Sequence, residues 1–137
     1  MWWIYALLSA LFAALTAIFA KVGIKGVDTD LATAIRTVVI LVIAWSIAFL
    51  RGGAATIYTL TKQNIIFLCL SGLATGLSWI FYFKALQLGK VSQVAPVDKM
   101  SVAIAIIFSI MFLGETLTLK MAIGAIMIIA GTIVLIL

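Results

Sequence analysis

At 137 residues, 66% of them hydrophobic and 9% charged, the chain carries more apolar side chain than a water-soluble fold of this size can bury. The net charge of +5 comes from nine Lys/Arg scattered singly, which excludes a nucleic-acid patch and suits juxtamembrane basic residues facing anionic lipid. A single cysteine, Cys69, and the absence of histidine exclude an intrachain disulfide and any metal-ligand spacing.

Lipid cannot satisfy backbone N–H and C=O groups, so a spanning segment must be a helix or part of a closed barrel. Barrel strands alternate polar and apolar residues, and the run 104–113 does not. The expected fold is therefore all-α, an integral membrane bundle of five transmembrane helices. A crossing takes about 20 helical residues.

In chain order, the first helix is expected over 3–23. Trp2, Trp3 and Tyr5 stand at its start as interfacial aromatics do. No Lys or Arg precedes it, and it is uncharged from Trp2 to Ala20, longer than the core of a secretory signal, so it reads as a retained helix. After the break 23–30, Asp30 is placed to cap a second helix over 31–50. Arg51-Gly52-Gly53 ends that helix and opens the longest loop. A third helix is expected over 63–88, ending at Gly89. A fourth is expected over 94–113, with Pro96 in its first turn, where proline is tolerated, and Gly114 as its stop. The fifth covers 118–137. Small residues recur at four-residue spacing: Ser9, Ala13 and Ala17; Gly72 and Gly76; Ser101, Ala105 and Ser109. Such rows let helices approach closely in lipid, within one chain or between two.

The loops leave no room for a catalytic domain. No nucleotide-binding loop, nucleophile motif or carboxylate pair is present, so no enzyme activity, catalytic residue or cofactor is expected. The informative residues are charges inside spans, which are costly and tend to have a role. Lys21, Arg36, Lys84, Asp98 and Lys99 all fall near one face of the bilayer, at roughly 5–10 Å depth for a rise of 1.5 Å per residue. The opposite half of the bundle is nearly free of charge. The plain reading of Lys21 is snorkelling to the headgroups. The same reading competes at Arg36 and Lys84 with an ion-paired cluster joining Asp98 to Lys84, Arg36 or Lys99. Asp98 is too short to snorkel, and its plain reading is an acid favoured by a helix N-terminus. Glu115 reads as structural for the same reason. Trp45, Trp79, Tyr82 and Phe83 either line an aromatic cavity or face core and lipid.

The segments Phe83-Lys84-Ala85-Leu86-Gln87-Leu88-Gly89, Val91-Ser92-Gln93-Val94-Ala95-Pro96-Val97 and Phe112-Leu113-Gly114-Glu115-Thr116-Leu117-Thr118, followed by Gly124 and Gly131, resemble in order and spacing the EamA-type domain of the drug/metabolite transporter superfamily. The resemblance covers essentially the whole chain, as one EamA-type unit over 1–137, and Arg36 fits the basic position usual in the family's second helix. It implies transport of a small metabolite or drug-like compound, usually export, in a prokaryotic plasma membrane. Larger members carry two such units in inverted orientation. A single unit reproduces that plan by pairing antiparallel with a second copy or with a different half. Smaller four-helix relatives, which form antiparallel homodimers, rely on a glutamate in helix 1. No acid stands there in this chain, so Asp98 is the one acid within a span and the coupling ion is open.

The loop charges bear on orientation. Arg51, Lys62 and Lys120 lie on one side; Lys25 and Lys90, joined by Lys21 and Lys84 if they snorkel, lie on the other. A near tie permits both orientations under the positive-inside rule. The expectation is an antiparallel homodimer in the lipid bilayer, carrying a small-molecule substrate and binding no nucleic acid. Arg36, Lys84, Asp98, Lys99, Trp45, Trp79 and Tyr82 are the substrate or gating candidates. Gly72, Gly76, Ser101 and Ala105 are the packing candidates. The rival readings are a flippase for lipid-linked substrates and a non-transporting subunit of a membrane complex.

Overall fold

The computed structural model describes residues 1–137, and every long apolar run in it is helical. The helices are α1 Trp2–Gly23, α2 Thr29–Leu50, α3 Lys62–Leu88, α4 Val91–Asp98, α5 Met100–Leu113 and α6 Leu119–Ile136, with a 3-10 turn at Gly53–Thr59. Because α4 and α5 together form one 23-residue stretch, five segments are long and apolar enough to cross a membrane. This is the all-α membrane bundle that the hydropathy pattern predicts.

The ends of the helices follow ordinary capping chemistry, with one correction. The cap of α2 is Asp28 and not Asp30. Asp28 lies in extended backbone, from which its Oδ1 accepts the N–H groups of Asp30 and Leu31 at 3.0 Å each. Asp30 is already inside the first turn, where it complements the helix dipole. Thr118 caps α6 in the same way, accepting the Met121 N–H at 3.2 Å. Gly114 ends α5 with φ 70°, a left-handed conformation open to glycine without strain.

A second correction concerns the fourth span. It begins at Val91, three residues before its expected start, and so Pro96 falls inside α4. Proline there has no N–H to give and its ring crowds the preceding turn. The regular ladder is interrupted three residues later. The Lys99 N–H is shared between the carbonyls of Ala95 at 3.3 Å and Pro96 at 3.0 Å, and the Val102 N–H closes on Lys99 O at 3.0 Å. The ladder tightens through Lys99 and restarts as α5.

The chain resolves into two compact units. One comprises Met1–Phe19 with Leu88–Leu137, the other Ala20–Gln87. In the first, α4 and α5 pack against α6. Thr132 of α6 and Ala103 of α5 are buried, and the Thr132 hydroxyl donates to Ile128 O at 2.8 Å and to Pro96 O at 3.2 Å. In the second, Phe83 and Leu86 of α3 and Ile24 are the buried apolar residues, beside Thr29 and Thr33 of α2. The hydroxyls of Thr33 and Thr37 donate at 2.8 Å to the carbonyls one turn back, Thr29 and Thr33. A hydroxyl in lipid has no water to bond, and this back-bonding satisfies it within its own helix.

Little of each span is covered by its own chain: 6% or less of each apolar window is buried. Gly72 and Gly76 illustrate this, since a Cβ built on either meets no atom within 4 Å. Ser101 and Ala105 are exposed, and the fully buried residue of α5 is Ala103.

Candidate functional site

The unit Ala20–Gln87 brings three of the predicted site residues onto neighbouring helix faces. Trp79 and Phe83 stand one turn apart on α3, which puts their rings on one face. Leu86, wholly buried, continues that face. Arg36 of α2 lies against it. The Arg36 Cζ is 3.4 Å from the centroid of the Trp79 ring and 5.2 Å from that of Phe83. A guanidinium brings its central carbon that close only by lying flat on the ring. The ring quadrupole then offsets part of the cost of holding a charge in a span. Tyr82 is half-buried and its ring lies 6.4 Å from that of Phe83.

Trp45 is elsewhere. It lies nine residues beyond Arg36 on α2, about 13 Å along the axis, and its ring partners Phe49 at 5.5 Å. Of the four aromatics read as a cavity lining, Trp79, Phe83 and Tyr82 are together and Trp45 is apart.

The lysines differ in role. Lys84 is exposed, which agrees with snorkelling. Lys21 is half-buried, and its ammonium donates to the carbonyl of Leu86. Leu86 is in the last turn of α3, where carbonyls lack helical partners, so Lys21 caps that terminus. Gln87 ties the same end of α3 to the loop before α2, its Nε2 donating to Val27 O at 3.1 Å.

In the other unit, Asp98 pairs with Lys99, its neighbour, at 3.3 Å, and both side chains are substantially exposed. This is one of the three partners considered for the acid. The start of α4 at Val91 makes Asp98 the last residue of that helix, at the break, and not a first-turn acid. It therefore has no N-terminal dipole of α4 to favour it, and an exposed adjacent ion pair contributes little to stability.

Sequence reasoning missed Thr132, Ala103 and the capping role of Lys21. Thr132 carried a signal, being the one hydroxyl in α6 and the one polar side chain beyond its first turn. The other two depend on which helix faces meet and carried none.

Compared with known proteins, residues 1–137 match the model of the EamA-like transporter family. The chain is 48% identical over 134 residues to a Sinorhizobium protein named "uncharacterized transporter in cobO 3'region", covering 98% of this chain and 95% of that one. It is 38% identical over 77 residues to an uncharacterized protein of Methanocaldococcus jannaschii, covering 56% of each. No solved structure matches the chain.

Proposed function

The chain belongs to the EamA-like transporter family, is a multi-pass integral membrane protein, and from that premise we propose that it is a secondary exporter of small metabolites or drug-like compounds. It works by alternating access as an antiparallel homodimer in a prokaryotic plasma membrane. The observation that carries this reading is the bareness of the spans, each with 6% or less of its apolar window covered by its own chain. A transport cavity near the midplane needs walls on all sides. Five helices that cover so little of one another obtain those walls from a second copy. Exposed Gly72 and half-buried Gly76, where a Cβ would meet nothing within 4 Å, offer a surface on which another helix can come close.

Proteoliposomes holding this chain alone, loaded in turn with radiolabelled benzoate, alanine or ethidium, test the reading by efflux. Saturable efflux of at least one probe, faster than from protein-free vesicles, is the expected result. Efflux of all three at the protein-free rate contradicts it.

A further inference from the structure

The charge of the transported compound can be argued from Arg36. Its guanidinium lies flat on Trp79, with Phe83 one turn away. Stacking uses the face of a guanidinium and leaves its edge, where all five N–H donors lie in one plane. Those donors take no ion pair within the unit Ala20–Gln87. The acids of that unit are Asp28 and Asp30, and the Asp28 carboxylate already caps α2. The hydroxyls of Thr33 and Thr37 are bonded to backbone carbonyls, and the neutral phenol of Tyr82, which interacts electrostatically with the guanidinium, supplies no full counter-charge.

Arg36 is seven residues into α2, about 10 Å from its start. The cation is therefore fixed against an aromatic platform at depth, with a fork of donors whose geometry matches a carboxylate or a phosphate in two parallel hydrogen bonds. Lys21 and Lys84 add positive charge in the same unit. A cationic solute at this place would meet like charge and no carboxylate.

We propose that Arg36, seated on Trp79, is an oxyanion-recognising group, and that the solute carries a carboxylate or phosphate on a small apolar body. This rests on the transporter reading for its role in flux, but the binding it asserts is measurable without flux. Lysine cannot replace arginine here, because an ammonium neither stacks flat nor presents a planar fork.

The test uses Trp79 as its own reporter. Trp2, Trp3 and Trp45 are replaced by Phe, and the full chain is placed in phosphatidylcholine nanodiscs. Benzoate is titrated against its cationic and neutral counterparts, benzylamine and benzamide. The proposal expects benzoate alone to change Trp79 emission saturably. Arg36→Gln should weaken that response by about ten-fold or more, the loss of a charge-assisted pair. Arg36→Lys, which retains the charge, should fall between the two and keeps the test decisive if the Gln variant does not fold. In phosphatidylglycerol discs, emission already shifted before benzoate is added identifies a lipid headgroup as the source of the oxyanion. Unshifted emission that then responds to benzoate identifies a soluble solute. An equal response to benzylamine, an unchanged benzoate affinity in Arg36→Gln, or no response to either benzoate or phosphatidylglycerol overturns the proposal. Benzoate binding without efflux of any probe keeps the anion site and removes the transporter reading; ethidium efflux without benzoate binding does the reverse.

Discussion

The hydroxyl of Thr132 on α6 reaches the carbonyl of Pro96 on α4 at 3.2 Å, two residues before the helix ends and three before the ladder tightens through Lys99. The same hydroxyl bonds Ile128 O at 2.8 Å, so one buried group serves its own helix and the kinked one. In a membrane, where helices gain little from hydrophobic burial against one another, such a bond helps fix the angle of the broken span. Thr132→Val keeps the shape and removes both bonds, and should lower stability in detergent by about 0.6–1 kcal/mol. Thr132→Ser should stay near the parent. Thermal unfolding of the three proteins checks this.

Pro96→Ala should act in the opposite sense on stability. Alanine restores the missing N–H and relieves the crowding of the preceding turn, an effect of up to about 3 kcal/mol in a helix interior. The variant should unfold at a higher temperature. Slower flux of the transported probe in the same variant would mark the break as one that transport uses. The two measurements together separate a break needed for transport from a break merely tolerated.

The capping residues of α2 make a sharper structural test. Asp28→Ala leaves the N–H groups of Asp30 and Leu31 without their acceptor and should cost about 1 kcal/mol. Asp30→Ala should cost less, because that carboxylate accepts no capping bond. Unfolding midpoints of the two variants, read side by side, give the order directly.

Lys21 and Lys84 should also separate. Lys21→Met removes the donor at the C-terminal end of α3 and should expose its last turn to faster amide exchange. Lys84→Met, at an exposed position, should leave that exchange unchanged. Equal exchange in both variants would remove the capping role of Lys21.

Asp98 is the acid at the break, and its exposed pair with Lys99 contributes little to stability. Asp98→Asn should therefore fold and melt as the parent does while impairing efflux. Efflux at the parental rate would show that the carboxylate has no part in transport.

How much of this is legible in the sequence follows from the range of the interactions involved. The five spans are local in origin, since each is a run of about 20 apolar residues between glycines, charges or caps, and all five are found. Gly114 as a stop is local too. Asp28 and Asp30 both carry capping chemistry two residues apart, and choosing between them needs the backbone angle at Asp28. The start of α4 misled for a related reason: Val91-Ser92-Gln93 is polar enough to pass for loop, and moving the start back to Val91 carries Pro96 from the first turn to the interior. Arg36 with Trp79 lay further from reach. Each residue stood out as a charge or an aromatic inside a span, but their contact depends on how α2 and α3 face one another. The partner of Lys21 is a backbone carbonyl, and no pattern of side chains announces one.

The central claim is an antiparallel pair of copies, and it is tested most directly by topology in native membranes. Cys69, which is exposed, is replaced by serine, and a single cysteine is placed at Val27 in the loop between α1 and α2. Val27 is preferred to Lys25, whose charge bears on orientation, to Gly26, whose φ of 71° favours glycine, and to Asp28, which caps α2. An impermeant thiol reagent is then applied from each side. Labelling of separate populations from the two sides is the predicted result, because opposed copies place the same loop in both compartments. Labelling from one side alone would contradict the antiparallel homodimer.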